Sequence, residues 1–568
     1  MSKLEVGTLV PASFVTPAIK SPSTHIVRKR KYEVLPVSNT SYSYGGNDRI
    51  QIQIRSSTDF LNAMESYLRF ELRTYGRHDG TNNAVIRGLA TGGAHALFRA
   101  MEIRLPNGTL LERIESSDKL YAVVSSAQHS PKHIQHAEWA SGDSLGIEPA
   151  YDGAVSVPKE MYSRQLTGTA VEAQSGGSGD YDTLTGTSTL FAEEVAVGDQ
   201  LLLRTAPAAT LVAQHAIVTV KTVSSATSIV FSPPVSEAMT GGATLELFAL
   251  PLAARCLACK PSVDDSTLAT AGYDITMRPM LSFLNMREFI PLFLMSGGFT
   301  LELELNDPYR ALQISDRYTA SASAVLNYSL ENVRYIASMV QPSQDIIQQY
   351  VSMYNGQGIN YAMLQYRHVQ SVEPGASGTY SVAQNVNVRS LRFVLAIVQN
   401  LKSNSGSGQV TAVRETAIQN YDSVGTFVDG KVSSYQFTAG SDQFPQIKVD
   451  CSDDFLTEAF AELQKTSGNI GNTLYEPRFQ MDEWFKGNPN SDTEVRDESH
   501  KLIMSTRFDR GDGVLTGYDS SISAINMNLE FSAVHQVGGA TSSRYIDCWY
   551  AHDVILSLSR NGGFVVRR

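Results

Sequence analysis

The sequence predicts an all-β protein made of two β units in tandem, and three observations support this. Gly, Ser, Thr and Val are abundant, and 25 Tyr and 22 Phe far outnumber 3 Trp, a composition typical of β-proteins. The run Thr300–Leu305 alternates strictly between polar and apolar residues, which indicates a strand with one buried and one wet face. After a turn at Asn306-Asp307-Pro308, a second β-rich series starts at Val325.

Length and charge restrict the class of protein. A chain of 568 residues is too long for one core and is expected to divide into several domains. The net charge of −11 argues against a chain that coats nucleic acid over its whole surface, since phosphate binding needs a dominant basic face. Only 18% of the residues are charged, which suits extended contact surfaces better than a freely diffusing enzyme.

Hydropathy and cysteine content predict whether the chain spans a membrane and in which compartment it is made. No apolar run approaches the roughly 20 residues that a membrane-spanning helix needs, and the first residues lack the apolar core of a secretion signal. We therefore expect no membrane span. Four cysteines are too few to cross-link a chain of this length, and they are typical of reduced thiols at an intracellular site of assembly: Cys256, Cys259, Cys451 and Cys548.

Residues 1–31 are predicted to form an N-terminal arm, because the segment is rich in Pro, Ser and Thr. It closes with the only dense basic run, Arg28-Lys29-Arg30-Lys31. This run is a candidate basic patch for contact with nucleic-acid phosphates or an acidic partner. A solvated hinge is the favoured interpretation, since no aromatic residues interleave for base stacking.

The first β unit is assigned to residues 32–310. Alternation over Arg49–Arg55 predicts a strand, and Pro106-Asn107-Gly108 predicts a tight hairpin between two strands. Ser117 is expected to cap a helix that runs to about Ser126. Near the end of the unit, Leu281–Phe289 is predicted to be helical and Gly297-Gly298 to lead into the alternating strand.

A change in amino-acid composition indicates an insertion at about residues 165–250. Its entry is rich in Gly, Ser and Asp, its charges are few, and short β runs follow one another. The segment is predicted to be a small β module placed between two strands of the first unit. A loop tip tolerates such an insertion, because a longer loop adds little closure entropy.

The second β unit is assigned to residues 311–568. Its first strand is predicted at Val325–Ala337, a helix at Pro342–Tyr354, and a second helix after Ser452 as N-cap. Each unit then has about eight strands, with the longest insertions in loops. This pattern fits two eight-stranded jelly rolls in tandem, a double jelly roll with short helices and a small inserted β module.

Four stretches of the chain resemble the double jelly-roll major capsid proteins of tailless icosahedral DNA viruses, especially those of virophages, Polinton-type elements and related large viruses. They are an opening strand pair, a strand–hairpin–helix unit, the Met277–Asp307 segment that closes the first jelly roll, and a Phe-Pro strand entry followed by a helix. The opening strand pair spans residues 32–57, the strand–hairpin–helix unit spans 96–124, and the Phe-Pro strand entry with its helix spans 435–464. The module at 165–250 departs from the pattern.

This resemblance implies a function and partners. Members of the family form homotrimers whose two jelly rolls per subunit make a pseudo-hexagonal capsomer, and these capsomers tile an icosahedral shell. The resemblance therefore implies a self-assembling major capsid protein of the virion, with neighbouring capsomers, penton proteins and minor capsid proteins as partners. Contact of the N-terminal arm with packaged DNA or inner components is a further candidate.

The remaining motifs are more typical of structural residues than of catalytic, metal-binding or receptor-binding sites. Cys256 and Cys259 lack a second ligand pair for zinc, and Pro131 interrupts a helix that could present His129, His133 and His136 together. Arg510-Gly511-Asp512 matches a receptor-binding tripeptide that some viruses use, although its flanks are typical of a Gly-rich turn between strands. We expect no catalytic residues, metal site or cofactor, and hence no enzyme.

Two alternatives belong to other classes. A trimeric β-rich receptor- or glycan-binding viral surface protein would show an exposed groove lined by aromatic residues and a fibrous stalk. A carbohydrate-active β-enzyme would need two carboxylates that face each other across a cleft.

Overall fold

The computed structural model describes residues 26–39, 41–76, 86–89, 92–128, 164–166, 168–174, 181–195, 200–205, 215–235, 245–249, 272–295, 297–314, 326–356, 358–400, 431–452, 456–468, 502–509, 515–534, 536–537, 540–541, 543–559 and 563–567.

Strands dominate the first half of the chain. Those before the insertion are β1 (Ile26–Val34), β2 (Tyr42–Ser43), β3 (Arg49–Ile54), β4 (Phe60–Gly76), β5 (Ile86–Leu89), β6 (Phe98–Arg104) and β7 (Leu110–Glu115). Those of the insertion are β8 (Arg164–Gln165), β9 (Thr169–Gln174), β10 (Tyr181–Thr187), β11 (Gln200–Thr205), β12 (His215–Ser225), β13 (Ser228–Val235) and β14 (Leu245–Ala249). Those after it are β15 (Gly272–Met277), β16 (Ile290–Pro291), β17 (Phe299–Leu305), β18 (Leu312–Ile314) and β19 (Leu326–Pro342).

The second half of the chain continues in the same way. Its strands are β20 (Ile359–Glu373), β21 (Gly378–Gln384), β22 (Leu391–Asn400), β23 (Val432–Ala439), β24 (Asp442–Asp450), β25 (Ile503–Arg507), β26 (Ile525–Phe531), β27 (Gln536–Val537), β28 (Ala540–Thr541), β29 (Arg544–Ser559) and β30 (Gly563–Arg567). The α-helices are Ser117–Gln128, Phe191–Glu194, Pro308–Ala311, Gln344–Asn355 and Thr457–Ser467, and the 3₁₀-helices are Gly93–Leu97, Ser282–Asn285 and Leu292–Leu294. None of the described helices is long and apolar enough to span a membrane.

Strand order identifies both halves as jelly rolls. In the first, one sheet runs β1-β19-β4-β15 and the other β3-β17-β6-β7, with every pair antiparallel. In the second, the sheets run β20-β29-β22-β25 and β21-β26-β23-β24. Numbered one to eight along the chain, the main strands of both halves follow the orders 1-8-3-6 and 2-7-4-5. This arrangement is the jelly roll, and it confirms the predicted double jelly-roll fold class.

The insertion forms its own sheet, with the order β11-β12-β13-β10-β9-β14-β8 and a further pairing of β11 with β14. Its buried apolar residues, among them Leu184, Phe191 and Phe231, form a core cluster separate from that of the jelly rolls. The module therefore has an apolar core of its own, which lies in the connection between β7 and β15.

Local chemistry explains several elements that the sequence predicts. The side chains of β17 alternate between buried and half-buried positions along its whole length. At the β6–β7 hairpin, Gly108 has a φ of 82° and its N–H donates to the Leu105 carbonyl at 2.9 Å. Gly298 precedes β17 with a φ of 75°, and a Cβ there would lie 2.0 Å from the Ile54 carbonyl oxygen. Only glycine fits this close approach.

The structure corrects the assignment of two segments. β19 was predicted to open the second unit, but it pairs with both β1 and β4 and is the closing strand of the first jelly roll. The Met277–Asp307 segment therefore ends one strand before closure. Residues 26–31, predicted to belong to an arm, form part of β1 and pair with the end of β19. The pairing partner of a strand is non-local, so neither position was readable from local patterns.

Two predicted helices also differ from those observed. Leu281–Phe289 forms only the short 3₁₀-helix Ser282–Asn285, because the chain becomes extended at Met286 and Ile290–Pro291 pairs with β4. The Glu112 carboxylate accepts the N–H groups of Ser282 and Phe283 at the start of this short helix. Ser452 does not cap the later helix, which begins at Thr457; the Ser452 N–H and hydroxyl instead donate to the Asp450 carboxylate.

Strand direction gives the two rolls a common polarity. Because all paired strands are antiparallel, the connections β1–β3, β4–β6, β7–β15 and β17–β19 lie at one end of the first roll, which we call the insert end. The helix Gln344–Asn355 joins β19 to β20 at the other end, the linker end. β7 and β20 then run side by side in the same direction, since Gln365 contacts Leu111 and, further along, Gln370 and Lys119 share one carboxylate. Both rolls therefore point the same way.

Candidate interaction surfaces

The two jelly rolls meet along a seam in which an edge of the first roll packs on a face of the second. The edge consists of β7 and the helix Ser117–Gln128, and the face belongs to β20 and β29. The Gln365 amide donates to the Leu111 carbonyl at 3.0 Å, and the indole N–H of the fully buried Trp549 donates to the Glu115 carbonyl at 3.4 Å. The Ser282 hydroxyl adds a bond to the Leu364 carbonyl.

A buried ionic cluster lies in the middle of the seam. The Lys119 Nζ is 2.8 Å from Asp547 Oδ2, the His368 Nε2 is 2.7 Å from Oδ1, and the Gln370 amide donates to Oδ1 at 2.9 Å. Burial of Asp547 opposes its ionisation, but the Lys119 charge and the His368 hydrogen bond outweigh burial and hold the pKa of Asp547 well below its usual range. The carboxylate thus joins one helix of the first roll to two strands of the second.

A second buried carboxyl lies beside the seam. Glu112 on β7 accepts the Ser282 N–H at 2.8 Å and the Phe283 N–H at 2.9 Å. Its complete burial raises its pKa to about 7, although these two hydrogen bonds act in the opposite direction. On the second roll, burial and the Glu112 charge raise the pKa of Tyr366 to about 12. Ionisation near the seam therefore changes across neutral pH.

The first-roll counterpart of the face that β20 and β29 bury in the seam is exposed to solvent, and its side chains form ion pairs. We call the solvent side of β1, β19, β4 and β15 the outer face. It carries four cross-strand ion pairs, which are Lys29–Glu65, Arg69–Asp274, Arg73–Glu331 (2.9 Å) and Arg334–Glu33 (3.2 Å). The equivalent face of the second roll is the one that the seam buries. The outer face of the sheet with strand order 1-8-3-6 is therefore exposed to solvent in the first roll and buried by the seam in the second.

The basic run lies in this exposed region. Arg28, Lys29 and Lys31 are exposed and Arg30 is half-buried. The Arg30 guanidinium donates to the Gln341 side chain at 3.4 Å and lies 5.7 Å from the Tyr32 ring centroid, and Lys31 Nζ lies 5.6 Å from the Tyr67 ring centroid. The run is therefore part of an edge strand held against β19, and two of its cations rest on tyrosine rings.

The second roll has its own exposed edge, which we call the second-roll edge. It consists of β24 and the helix Thr457–Ser467, the counterparts of β7 and the helix Ser117–Gln128. Ile447 on β24 is 78% exposed, and the pairing of β24 with β23 is irregular around it. The Glu458 carboxylate accepts the Asp450 N–H at 2.7 Å at the start of the helix. Asp453 and Asp454, which the sequence places between them, lie outside the described residues.

A charged groove of about 290 Å³ lies on the solvent side of β3, β17, β6 and β7. Its lining contains no aromatic residue and includes Arg49, Gln51, Glu102, Arg104, Arg113 and Glu302. Burial and the adjoining Glu102 raise the pKa of Glu302, while the Arg104 and Arg113 side chains bind Glu102. The two carboxyl groups touch each other, so they do not face each other across a substrate as in a glycosidase.

The other motifs lie elsewhere. His129, His133, His136, Cys256 and Cys259 are outside the described residues, as is the tripeptide Arg510-Gly511-Asp512. Asp509 and Leu515, which flank the tripeptide, belong to the connection between β25 and β26, at the linker end of the second roll. Within the described ranges, no group of three or more His, Cys, Asp or Glu side chains is placed to hold a metal ion.

Of the comparisons with known proteins, the one with solved structures found similar chains. A scan against family models and a comparison with curated sequences found no match. The Faustovirus major capsid protein is similar over 98% of this chain and 94% of its own, with a TM-score of 0.50 and 10% identity. The fold is shared with a viral major capsid protein. This likeness confirms the fold that the sequence resemblance implied.

Two further solved structures are similar at lower TM-scores. The Sputnik virophage structure determined by cryo-EM has a TM-score of 0.45 and 11% identity, covering 95% of this chain and 88% of that chain. The mavirus major capsid protein has a TM-score of 0.39 and 10% identity, covering 98% and 94%.

Sequence reasoning missed the seam. Lys119, His368 and Asp547 are separated by hundreds of positions and match no motif. The available signal was Lys119 in the first turn of a helix, directly before the apolar residues Leu120, Ala122 and Val123, which the structure buries. A lysine at such a position needs a buried partner.

Proposed function

We propose that the chain is a major capsid protein, located in the shell of an icosahedral DNA virion, and that it assembles as a homotrimer. The observation that carries the proposal is the repetition of one jelly roll with the same strand order and polarity, over a chain whose fold matches the Faustovirus major capsid protein along 98% of its length. Two similar upright rolls per subunit give three subunits six similar lateral walls. Cyclic symmetry then closes the ring through heterologous contacts.

The domain division that supports this proposal follows the strand pairing. We place the first jelly roll from β1 to β19, the linker helix at Gln344–Asn355, and the second jelly roll from β20 to β30, with the inserted module between β7 and β15. We propose that the insert end faces outward as a decoration of the shell. Neighbouring capsomers, penton proteins and minor capsid proteins are then the partners, and the chain has no catalytic role.

This orientation bears on both candidate sites of the sequence. The residues that flank Arg510-Gly511-Asp512 lie at the linker end, away from the insertion. If the insert end faces outward, these flanking residues lie on the inward side, so we favour the turn interpretation over receptor binding. The basic run on β1 also lies toward the linker end, because Ile26 pairs with Pro342 immediately before the linker helix.

Purified full-length protein tests the proposal directly. Light scattering coupled to size exclusion is expected to show a trimer at low micromolar concentration, and negative-stain microscopy is expected to show particles with a hexagonal outline. A stable monomer in the first measurement would contradict the capsomer proposal. A trimer with an elongated, stalked outline would favour the receptor- or glycan-binding alternative, which lacks support from the groove on β3, β17, β6 and β7 because its lining has no aromatic residue.

A further inference from the structure

We propose that the basic run on β1 guards an exposed sheet edge, and that its inward-pointing members Arg28 and Arg30 keep other chains from adding a strand there. This role belongs to the free chain before assembly, so it is independent of the proposed trimer. It also differs from contact with nucleic-acid phosphates, which would draw on all four cations of the run alike.

β1 is an end strand of its sheet. Within the described ranges it pairs only with β19, from Ile26 opposite Pro342 to Val34 opposite Tyr335. The backbone groups on its other side are therefore open to a strand of another chain, and such pairing is a common route from an edge strand to aggregation. A bulge at Val27 interrupts the register near the start of β1, and bulges are one of the devices that blunt exposed edges.

The four cations of the run alternate between the two faces of β1. Lys29 and Lys31 lie on the outer face, where Lys29 forms an ion pair with Glu65 and the Lys31 Nζ lies 5.6 Å from the Tyr67 ring centroid. The lysines therefore belong to the charged, wet side of the sheet.

Arg28 and Arg30 lie on the opposite face of β1, the core side. Val34 packs against the core of the jelly rolls, and residues an even number of positions apart share one face of a strand. Opposite Arg30 on β19 lies Met339, which belongs to the same core. Arg28 is nevertheless exposed and Arg30 is half-buried, so the core side of β1 is open to solvent at its edge.

The corresponding strand of the second roll has apolar residues at these positions. β20 is also an end strand, and it also begins opposite the end of its closing strand. Its core side carries Ile359, Tyr361 and Met363, all of them buried in the core. The first roll covers this edge, since the Gln365 amide donates to the Leu111 carbonyl at 3.0 Å. The edge that is covered within the chain is thus apolar, and the edge that is bare carries arginines.

The charge of the two arginines makes strand addition unfavourable. A strand added beside β1 would extend the sheet and place its own core-side residues next to Arg28 and Arg30. The two guanidinium groups would lose water without gaining a counter-ion, and burial of an unpaired charge is costly. Lys29 and Lys31 would stay in water on the outer face. If the added strand were β1 of a second copy, like charges would also face one another across the new pair.

Two matched double variants of the full chain test this role. Arg28→Thr with Arg30→Thr and Lys29→Thr with Lys31→Thr remove the same charge and introduce the same β-forming residue, but on opposite faces of β1. At equal concentration, the arginine variant is expected to aggregate at least about tenfold faster than the wild type, because the charges that oppose strand addition are gone. The lysine variant should change the rate less than about twofold, since exposed contacts contribute little.

The nature of the aggregates is part of the test. Sedimentation measures the loss of soluble chain, and infrared spectroscopy of the pellet detects intermolecular β-sheet. Hydrogen exchange is expected to show newly protected amides in β1 of the aggregated arginine variant. Equal aggregation rates of the two double variants, or aggregates in which the β1 amides gain no protection, would overturn the proposal.

A third substitution separates edge guarding from loss of folding. Tyr32 is the next core-side residue of β1 and is 38% exposed, so Tyr32→Lys supplies one inward charge without restoring either arginine. Added to the arginine variant, it is expected to return the aggregation rate to within about threefold of the wild type. A chain that aggregates because it is misfolded would gain nothing from this lysine, so failure of the rescue would contradict the proposal.

Discussion

The buried pair of Lys119 and Asp547 gives the sharpest test of how the two jelly rolls are held together. Lys119 retains 7% side-chain exposure and Asp547 none, with 2.8 Å between Nζ and Oδ2. Removal of one partner of a buried pair typically costs about 3–5 kcal/mol, because the other charge stays desolvated. We expect the lower end of this range for Lys119→Met, since His368 and Gln370 still donate to the carboxylate.

A double-mutant cycle isolates the pair. Asp547→Asn keeps an acceptor for His368 and Gln370 but leaves Lys119 without its counter-ion, so about 3 kcal/mol is again expected. With Lys119→Met and Asp547→Asn combined, no unpaired charge is left in the seam. The double variant should therefore be more stable than the sum of the single effects predicts, by about 2–3 kcal/mol.

Hydrogen exchange measures this coupling where it acts. A chain with two rolls and an insertion does not unfold in one step, so the free energy of local opening is read from the amides of the helix Ser117–Gln128 and of β29. The matched control is the exposed pair Arg69–Asp274, with side-chain exposures of 39% and 55%, for which Arg69→Met should change stability by less than about 1 kcal/mol. A coupling free energy between Lys119 and Asp547 of less than about 1 kcal/mol, the size expected for the exposed pair, would refute the reasoning.

Two further predictions concern the seam and the insertion. The pKa of Glu112 rises from 4.5 to about 7 on folding, so its contribution is full below about pH 4.5 and is lost as the pH rises through about 7, an effect of about 3 kcal/mol. The free energy of local opening, read from hydrogen exchange of the β7 amides after correction for the intrinsic pH dependence of exchange, should show this slope between about pH 5 and about pH 8 in the wild type and lose it in Glu112→Gln; the same slope in both would contradict it. Replacement of residues 164–249 by a short Gly/Ser linker should leave trimers and melting unchanged, because the module has its own core; failure of the remainder to fold would contradict this independence.

Local patterns predicted much of the fold. The alternation over Thr300–Leu305 and the turn at Pro106-Asn107-Gly108 appear as β17 and as the β6–β7 hairpin. Both depend on side-chain period and on turn chemistry within a few residues. The helix predicted after Ser117 is present as Ser117–Gln128, although Ser117 is its first residue and not its cap, since the Ser117 hydroxyl donates to the Phe98 carbonyl at 2.9 Å.

Features that depend on distant partners were not predictable in this way. β19 looked like the start of a new unit, yet its partners β1 and β4 lie more than two hundred positions earlier. The basic run was assigned to an arm because the segment before it is rich in Pro, Ser and Thr, whereas the run itself pairs with β19 as part of β1. The contact of the Glu112 carboxylate with the N–H groups of Ser282 and Phe283 also joins residues 170 and 171 positions apart.

Side-chain period, turn residues and composition are enough to predict a β-rich chain in which one architecture is repeated and an insertion interrupts the first copy, because these properties act over short stretches of chain. The identity of the strand that closes the first roll, the face of each roll that is covered and the contact of Lys119 with Asp547 became known from the folded structure. Sheet pairing and seam packing join residues far apart in the chain, so their energies depend on contacts that no local pattern contains.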